Sequence, residues 1–335
     1  MSSNNTHREQ GRTCLPFCQI HDMGIIATLT FSPCIDKITS VAKLIDEKKL
    51  YCVDPYSTPG GGGVNVARAI KRLGGKSVAI YPAGGYCGNL LNELMRKEDV
   101  SILPIEIQGD TRENLIIKEN STNRHFRFIM PGPALNDTQI IECLNQIESL
   151  SDLSFIVVSG SFPEGVPANI FERLAGIADR KKAKLVVDTS GGALKDALMS
   201  GVYLIKPNLN ELASLVLAFH VTNYSIAATA GELISKGHCN VVVVSMGSGG
   251  ALLVTKDLTK EFSAPQVEKM STSGSGDCMV AGIVLGLENG MNMEDAVQYG
   301  VVCGSAAAMH HGTALIEPQD AQKLLNDIHL NLPNC

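Results

Sequence analysis

The stretch Phe155-Ile156-Val157-Val158-Ser159 is an apolar run of strand length, and a second such run follows at Leu185-Val186-Val187-Asp188. Between the two runs, Ala168–Ala178 carries apolar residues at a spacing of three to four, which is typical of a helix packed on one face. Neither run alternates apolar with polar residues, so both are predicted to be parallel strands buried on both sides. A strand, a helix and a second strand in this order indicate an α/β fold.

The same alternation continues outward from this stretch in both directions. Four further apolar runs are predicted to be strands, namely Ile25–Thr30, Ser77–Tyr81, Tyr203–Lys206 and Val241–Ser245. Three further segments have helical periodicity, namely Val64–Leu73, Asp137–Leu150 and Ile226–Lys236. Asp137 is predicted to cap the second of these helices. The pattern predicts a doubly wound, mostly parallel sheet flanked by helices.

Two segments, about 35–56 and 105–130, interrupt this rhythm because they are richer in charged residues and in strand-like alternation. Within the second segment, Leu115–Glu119 and Arg124–Ile129 flank a stretch, Asn120-Ser121-Thr122-Asn123, that is typical of a hairpin turn. We interpret the two segments as one small inserted β-sheet, and an insert of this kind is often a lid over a site. The alternative is an edge hairpin of the main sheet.

The composition favours a globular protein. Of the 335 residues, 44% are hydrophobic and 19% are charged, so global disorder is excluded. We predict one α/β domain over 24–335 and a disordered extension over 1–23, which lacks the apolar core of a signal peptide. The net charge of −6 argues against nucleic acid as a partner. No run of 18 apolar residues occurs, so we expect no membrane span.

The ten cysteines are scattered along the chain and form no Cys-x-x-Cys pair, which argues against a zinc ribbon and a thioredoxin-type motif. Several of them lie in apolar surroundings, as reduced core cysteines do. We therefore expect a cytoplasmic protein.

A glycine-rich stretch, Gly60-Gly61-Gly62-Gly63-Val64-Asn65, precedes one predicted helix. Consecutive glycines let the backbone approach a ligand closely and expose N–H groups at the helix N-terminus. The Asn65 amide offers two donors and one acceptor, which suits sugar hydroxyls. The stretch has neither the Rossmann nor the Walker A pattern. A flexible turn without a ligand is the alternative.

A second glycine-rich stretch, Thr272-Ser273-Gly274-Ser275-Gly276-Asp277, leads into the apolar helix Cys278–Glu288. Glycine N–H groups at a helix N-terminus, together with the positive end of the helix dipole, stabilise charge on a transferring phosphoryl group. A carboxylate at this point would repel phosphate, but it is explained if Asp277 accepts a proton from an attacking hydroxyl. The alternative is an ordinary first-turn aspartate that complements the dipole.

A third motif, Lys206-Pro207-Asn208-x-x-Glu211, follows a predicted strand. Asn208 and Glu211 are three residues apart, so they share one face of a helix that starts there. An amide and a carboxylate in this arrangement could hold Mg²⁺ through water molecules. The alternative is a capping box around the helix start.

These three motifs, in this order, resemble the ribokinase-like (PfkB) family of sugar kinases, over roughly Gly24 to Leu330. Five shorter segments resemble a branch of the family that contains 6-phosphofructokinases, tagatose-6-phosphate kinases and fructose-1-phosphate kinases. These segments are Pro59–Leu73, Pro82–Gly85, Arg127–Leu135, Ser159–Gly165 and Asp188–Leu194. The resemblance implies an enzyme that uses ATP and Mg²⁺ to phosphorylate a sugar phosphate, and lids that pair into a homodimer.

The resemblance also implies roles for single residues. By position, Asp277 resembles the general base, and Gly274, Ser275 and Gly276 resemble the anion hole. The residues that resemble contacts to sugar hydroxyls are Asp36, Gly61, Gly62, Gly63 and Asn65. Arg112 and Ser161 resemble a clamp on the sugar phosphate, which only a phosphorylated sugar needs; a solvated hairpin arginine is the alternative for Arg112.

Further positions resemble the nucleotide and cation sites of the family. The nucleotide set consists of Lys49, Lys206, Asn208, Ser245, Gly247 and Gly250, with Lys49 reaching a neighbouring subunit's site. Asn208 and Glu211 resemble the motif that organises Mg²⁺ through water. A K⁺ site beside the anion hole would use carbonyl oxygens of Ser271, Ser273, Ala307, His310 and Gly312. The alternative is that His310 and His311 only end a helix, where a protonated histidine is favourable.

The chain departs from the pattern of the branch at a few positions. Tyr51 stands where a second phosphate-binding arginine is usual, Asn210 replaces a lysine, and Ser273 and Ser275 replace the commoner Val and Ala. The expected reaction is conversion of fructose 6-phosphate to fructose 1,6-bisphosphate, with tagatose-6-phosphate kinase or 1-phosphofructokinase as alternatives. A sensor of sugar phosphates without catalysis is a remote alternative, because Asp277 and the loop glycines are retained.

Overall fold

The computed structural model describes residues 24–219, 225–310 and 314–328, so the predicted extension over 1–23 lies outside the described residues. The strands are β1 Ile25–Leu29, β2 Cys34–Val41, β3 Val53–Gly60, β4 Ser77–Ala83, β5 Ser101–Glu106, β6 Arg112–Glu119, β7 Arg124–Phe128, β8 Leu153–Ser159, β9 Lys184–Asp188, β10 Val202–Ile205, β11 Cys239–Ser245, β12 Ala251–Val254 and β13 Thr259–Phe262. The helices are α1 Gly62–Arg72, α2 Gly85–Lys97, α3 Asp137–Ser149, α4 Ile170–Lys181, α5 Gly191–Ser200, α6 Leu209–Ala218, α7 Ile226–Ser235, α8 Ser275–Glu288, α9 Met293–Ala308 and α10 Pro318–Asp327.

Nine strands form the main sheet, in the order β13-β12-β11-β10-β9-β8-β1-β4-β5. The pairs from β11 across to β5 are parallel, whereas β12 and β13 are antiparallel additions at one edge. The sheet is therefore mostly parallel, as the apolar runs predict. All six predicted strands are present, and β8 and β9 pair with Ser159 opposite Asp188.

Helices cover both faces of the main sheet. Alternate residues of one strand enter different cores: Ile156 and Val158 of β8 pack with α3 to α7, and Phe155 and Val157 pack with α1, α8, α9 and α10. Helix α8 is buried without a break from Cys278 to Gly286, because it lies between the sheet and α9. The doubly wound α/β prediction is confirmed.

A separate four-stranded sheet has the order β3-β2-β6-β7, with β2 and β6 parallel and the other two pairs antiparallel. We call it the small sheet. The predicted hairpin is present as β6 and β7, so the alternative of an edge hairpin of the main sheet is wrong. The reason is that β6 pairs along its whole length with β2, residue by residue from Arg112 opposite Cys34 to Glu119 opposite Val41.

Helix α3 begins at Asp137 as predicted, but the assignment of Asp137 as its cap is wrong. The cap of α3 is Asn136 and not Asp137, because the Asn136 side chain accepts from Gln139 N at 3.0 Å while the Gln139 side chain accepts from Asn136 N at 2.9 Å. This reciprocal capping box satisfies two N–H groups, and Asp137 becomes the first helical residue, where its charge complements the dipole.

The topology decides where a ligand can bind. The chain leaves β1, builds β4 and β5 on one side of it, and then crosses to build β8, β9, β10 and β11 on the other side. In open α/β sheets, ligands bind beyond the carboxyl ends of the strands at such a reversal of strand order. Ser159 and Asp188 end their strands at this edge. None of the helices in the described ranges has the length and apolarity needed to cross a membrane.

Candidate active site

Asp277 is the third residue of α8, directly after the second glycine-rich stretch. Gly274 caps the helix with φ 75°, a left-handed conformation that glycine adopts without steric cost. The first N–H groups of a helix have no acceptor within the helix and carry the positive end of its dipole. This start of α8 is therefore suited to stabilise the charge of a phosphoryl group.

Two side chains hold the Asp277 carboxylate. Asn65 Nδ2 donates a hydrogen bond to Asp277 Oδ2 at 2.9 Å, and Ser159 Oγ donates to Oδ1 at 3.5 Å. Asn65 lies in the first turn of α1, and Ser159 is the last residue of β8. The fold thus joins the two glycine-rich stretches, whose polar residues are 212 positions apart in sequence.

Burial raises the pKa of Asp277 to about 7, and the negative charge of Asp188 acts in the same direction. The hydrogen bond from Asn65, the positive charge of Lys206 and the hydrogen bond from Ser159 act in the opposite direction. A carboxylate with a pKa close to neutral is suited to accept a proton from a hydroxyl near physiological pH.

Lys206 and Asp188 form a buried ion pair beside Asp277. Lys206 Nζ lies 3.1 Å from Asp188 Oδ1, and the two side chains are 6% and 13% exposed. Burial acts to lower the pKa of Lys206, but the charge and hydrogen bond of Asp188 outweigh it, so the pKa is raised. A Cβ atom at Gly276 would lie 3.4 Å from Lys206 Nζ. The ammonium therefore packs against the glycine-rich start of α8.

The first glycine-rich stretch forms the turn from β3 into α1. Helix α1 begins at Gly62, and Gly61 precedes it with φ 109°. A Cβ atom at Gly62 would lie 2.6 Å from the backbone nitrogen of Gly160. Only glycine lets the turn approach the end of β8 this closely, and this approach brings Asn65 to Asp277.

Asp36 lies on β2, and its carboxylate is buried, with the residue 6% exposed. Asn114 Nδ2 donates to Asp36 Oδ1 at 2.9 Å and also to Cys34 Sγ at 3.1 Å. A Cβ atom at Gly60 would lie 2.6 Å from Asp36 Oδ2. The structure therefore places Asp36 against the turn that contains the predicted sugar contacts Gly61, Gly62 and Gly63.

Arg112 and Ser161 line one wall of a cavity of about 580 Å³. Arg112 Nη2 donates to the backbone oxygen of Ser32 at 2.9 Å and to Ser161 Oγ at 3.4 Å, and Nη1 donates to the Met130 oxygen at 3.2 Å. Arg112 Nε is buried and has no hydrogen-bond partner within the described residues. An arginine held in this way beside a serine fits an anion, in contrast to a solvated hairpin arginine.

A second cavity, of about 290 Å³, adjoins the start of α8. The predicted nucleotide residues Ser245, Gly247 and Gly250 line it, as do Ser275 and Gly276. The remaining lining combines apolar residues, namely Ala264, Pro265, Val267, Met279, Val301 and Ala308, with Ser248, Gln266, Lys269, Thr272, Gly304 and Ser305. Apolar side chains together with glycine turns suit a flat base attached to phosphates.

Asn208 and Glu211 form a complete capping box at the start of α6. Glu211 N donates to Asn208 Oδ1 at 2.9 Å, and Asn208 N donates to Glu211 Oε2 at 2.8 Å. The capping alternative is therefore present in the structure. Within the described residues no hydrogen bond engages Glu211 Oε1, so one carboxylate oxygen is left for a water-bound metal.

Of the predicted cation residues, Ser271 and Ser273 lie in the segment before Gly274, and Ala307 and His310 lie at the end of α9 and just after it. Ser273 N donates to Ser271 Oγ at 3.1 Å, and Ser273 Oγ is buried with no hydrogen-bond partner in the described ranges. The Ala307 oxygen accepts from His310 N at 3.3 Å, and His310 Nε2 lies 2.8 Å from Asp320 Oδ2. His310 therefore joins the end of α9 to α10. Gly312 and His311 lie outside the described residues.

Lys49 lies in the connection between β2 and β3 and is exposed. It does not line the cavity that contains the other nucleotide residues. Its assignment to a neighbouring subunit's site stays a prediction.

The sequence profile of the pfkB family of carbohydrate kinases matches residues 29–320. The chain belongs to this family. An ATP-dependent 6-phosphofructokinase isozyme 2 from Mycobacterium tuberculosis is 40% identical over 299 residues, which cover 89% of this chain and 88% of that protein. A 1-phosphofructokinase from Borreliella burgdorferi is 30% identical, with 91% of this kinase and 98% of that protein covered. These relatives show the enzyme class, an ATP-dependent sugar-phosphate kinase.

Solved structures agree with this assignment. Phosphofructokinase-2 from Escherichia coli in complex with potassium superimposes with a TM-score of 0.87 at 37% identity, with 92% of this kinase and 100% of that chain covered. The same enzyme in complex with fructose-6-phosphate gives 0.85 at 36% identity and the same coverage. Ribokinase from Thermotoga maritima, at 20% identity and a TM-score of 0.73, shares the fold.

Three site residues of the kinase are missed by the motifs. Asn114 holds Asp36, Asp188 holds Lys206, and Arg68 holds Asn65, each through side-chain contacts. The sequence could have identified Asp188 as a site residue, because it is a carboxylate at the end of an apolar strand. Ser159 stands in the same way at the end of another apolar strand. Asn114 and Arg68 lie inside a strand and a helix, and nothing in their local sequence separates them from surface polar residues.

Proposed function

We propose that this kinase transfers the γ-phosphoryl group of ATP to the 1-hydroxyl of fructose 6-phosphate, with Asp277 as the general base. One observation carries the proposal. Asp277 lies at the start of α8, where Ser275 and Gly276 face the glycine-lined cavity and the Ser159 strand end leads to the cavity of Arg112 and Ser161. A nucleotide in one cavity and a sugar phosphate in the other would meet at this carboxylate.

The proposed step follows from the contacts of Asp277. Ionised Asp277 takes the proton of the attacking hydroxyl as that oxygen bonds to the γ-phosphorus, and the bond to the β-phosphate oxygen breaks. N–H groups of the Gly274–Gly276 loop and the Lys206 ammonium face the charge on the transferring group. Asn65 and Ser159 keep the carboxylate oriented. Positioning and electrostatics supply most of the acceleration in such transfers.

The cofactors of the proposed reaction are ATP and Mg²⁺. Bound Mg²⁺ would neutralise charge on the phosphate oxygens, and Asn208 with the unengaged Oε1 of Glu211 would hold it through water. We also propose a K⁺ site at the carbonyls of Ser271, Ser273 and Ala307, supported by the unpartnered Ser273 Oγ and by the potassium complex of the E. coli relative. Such a site would brace the loop that precedes Asp277.

We assign the sugar phosphate to the cavity of Arg112 because this side chain carries a positive charge. Arg112, held by the Ser32 oxygen and beside Ser161, would bind the 6-phosphate, while Asp36 and Asn65 would accept and donate hydrogen bonds to ring hydroxyls. The small sheet would close over this cavity as a lid and exclude water. The fructose-6-phosphate complex of the E. coli relative supports the choice of sugar.

The small sheet also supports a homodimer. Several large apolar side chains of this sheet and its connections are exposed, namely Leu50, Tyr51, Val53, Tyr56, Phe128 and Ile129. Exposed apolar clusters of this kind commonly mark protein–protein contacts. We propose that two small sheets pair, which would also bring Lys49 of one chain towards the partner's site.

A second sugar phosphate is favoured by one observation. Tyr51 is 84% exposed and supplies no cation at a position where the resemblance implies a second arginine for fructose 6-phosphate. Fructose 1-phosphate, with the 6-hydroxyl as acceptor, is the second candidate, and the relatives named 1-phosphofructokinase support it.

The test is an ATP-dependent product screen with purified protein over fructose 6-phosphate, fructose 1-phosphate and tagatose 6-phosphate. We expect the highest kcat/KM with fructose 6-phosphate and fructose 1,6-bisphosphate as product. A higher kcat/KM with either other sugar would contradict the proposed substrate, and no phosphoryl transfer to any of the three would contradict the proposed function.

A further inference from the structure

Arg68 is the largest fully buried side chain among the described residues, with 1% exposure. It lies on α1, one turn after Asn65, and faces into the protein. Burying an unpaired charge is costly, so a buried arginine persists only where its donors are matched by acceptors. The matching acceptors show what this arginine does.

The Arg68 guanidinium donates hydrogen bonds to three groups: the Glu98 carboxylate, the Pro59 backbone oxygen and the Asn65 side chain. Nε donates to both oxygens of Glu98 at 3.0 Å, and Nη2 donates to Glu98 Oε1 at 2.6 Å. Nη1 donates to the Pro59 backbone oxygen at 2.8 Å and to Asn65 Oδ1 at 3.3 Å. The guanidinium therefore joins the end of α2, the glycine turn and the side chain that contacts Asp277.

The contact with Asn65 decides which way the amide points. A guanidinium has donors only, so the group of Asn65 that faces it must be the carbonyl oxygen. The NH₂ group then faces Asp277 and donates to Oδ2 at 2.9 Å. If the amide turned over, its oxygen would face the carboxylate, which would repel it when Asp277 is ionised. Arg68 thus selects the one amide orientation that stabilises the ionised base.

We propose that Arg68, held by Glu98, is a positioning residue that fixes the Asn65 amide toward Asp277. This inference rests on the proposed function, in which Asp277 is the general base. Arg68 is not proposed to contact a substrate. Its effect on the reaction passes through Asn65, and through the Pro59 oxygen that it also holds at the glycine turn.

The groups that face Asp277 set the direction of the expected pH effect. They are Asn65 from α1, Ser159 from β8, Asp188 from β9 and Lys206 after β10, with Cys34 from β2 near enough to interact electrostatically. Loss of the Asn65 hydrogen bond removes one of the three influences that favour the ionised form, so the pKa of Asp277 would rise. Since the base acts when ionised, the acidic limb of the rate profile would move to higher pH.

The main test is a double-mutant cycle with Arg68→Lys and Asn65→Ala. Lysine keeps the positive charge near Asp277 but cannot bind Glu98, Pro59 and Asn65 together with the planar fork of arginine. We expect Arg68→Lys to lower kcat by about tenfold when Asn65 is present. In the Asn65→Ala background, Arg68→Lys should lower kcat by less than about twofold. If Arg68 acts through the Asn65 amide, its replacement has little further effect once that amide is gone. An equal loss in both backgrounds would overturn the proposal.

The pH profile gives a readout that lost stability alone would not move. In Arg68→Lys we expect the acidic limb of kcat/KM to shift upward by about one half to one pH unit, while KM for ATP stays unchanged. An unshifted limb together with a lowered kcat would overturn the proposal and leave a purely structural role.

Glu98→Gln is the second variant, for the case that Arg68→Lys does not fold. Glu98 is 26% exposed, and glutamine retains its shape but cannot accept the paired hydrogen bonds from Arg68. We expect the same upward shift of the limb, although removal of a negative charge would by itself shift it downward. A downward shift or no shift would overturn the proposal.

The matched control is Lys71→Met. Lys71 and Asp99 form an ion pair between the same two segments at 2.5 Å, but Asp99 is 89% exposed and neither residue contacts Asn65. The control should leave kcat and the limb unchanged, and a limb shift as large as that of Arg68→Lys would overturn the proposal. Asp277→Asn distinguishes failure of the proposed function from failure of this inference. If Asp277→Asn has normal turnover, the assignment of Asp277 as the base is refuted. If Asp277→Asn is inactive but Arg68→Lys has a normal pH profile, only the role of Arg68 is refuted.

Discussion

The cavity at the start of α8 and the cavity of Arg112 differ in the groups that line them. Besides several apolar residues, the cavity of Arg112 is lined by the charged side chains of Arg112 and Glu164 and by the hydroxyls of Ser32 and Ser161. Arg112 is held there by a hydrogen bond to the Ser32 backbone oxygen, 80 positions away in sequence. The other cavity is lined by glycine turns, by the first residues of α8, and by a mixture of apolar and polar side chains. Backbone groups can bind phosphate whatever the neighbouring side chains are, whereas the choice among sugar phosphates depends on a few side chains. This difference is consistent with relatives at 30–40% identity that carry the names of different sugar-phosphate kinases.

The largest expected effect concerns the carboxylate between the two cavities. Asp277→Asn keeps the shape and removes the base, so we expect kcat to fall by at least about 100-fold while nucleotide binding changes little. Steady-state kinetics and a nucleotide titration measure both. Asp257→Asn, in the exposed turn between β12 and β13, is the control. Turnover within a few-fold of the unmodified enzyme would refute the base assignment.

The next largest effect is expected on binding of the sugar phosphate, when the positive charge of Arg112 is removed. Arg112→Ala removes a charge-assisted contact to the sugar phosphate, and we expect a loss of about 2–4 kcal/mol in its binding, with ATP affinity unchanged. Calorimetric titration with each ligand checks this. Arg180→Ala, an exposed arginine on α4 paired with Glu148, is the matched control. If ATP binding is lost instead, Arg112 belongs to the nucleotide side.

The smallest of the three effects is expected in the cavity at the start of α8. Ser305 lies on its wall in α9, so Ser305→Phe fills part of the space and should raise KM for ATP by about tenfold, or roughly 1.4 kcal/mol. KM for the sugar phosphate should stay unchanged. Ser235→Phe at the exposed end of α7 controls for the added ring. An equal rise in both KM values would mean that the cavities are not separate sites.

The parts of the fold that were predictable have a local physical cause. Strands β8 and β9 are apolar throughout because both of their faces are covered, and α8 is apolar because it lies between the sheet and α9. The cap of α3 is wrongly predicted because Asn136 and Asp137 can both cap a helix. The choice depends on Gln139, three residues after Asn136, which completes the capping box.

The parts of the site that were not predictable depend on how the elements pack. Gly274 to Asp277 form one continuous stretch, so their chemistry is visible in the sequence. The Asp188–Lys206 pair and the Arg68–Asn65 contact depend on how strands and helices pack. The sequence marks Asp188 as a carboxylate at a strand end, but no local pattern shows which residue it or Arg68 will contact. The same holds for the apolar residues of the cavity at the start of α8, which come from three separate segments.

The pH dependence of kcat/KM for the sugar phosphate tests the central claim most directly. Since Asp277 must be ionised to accept a proton and its pKa is raised to about 7, kcat/KM should fall tenfold per pH unit below a midpoint near 7. The phosphate of the sugar adds a second ionisation near pH 6, below which the fall should steepen. A profile that is flat from pH 8 down to 6.5, with a single limb near 6, would contradict the role of Asp277 as the general base.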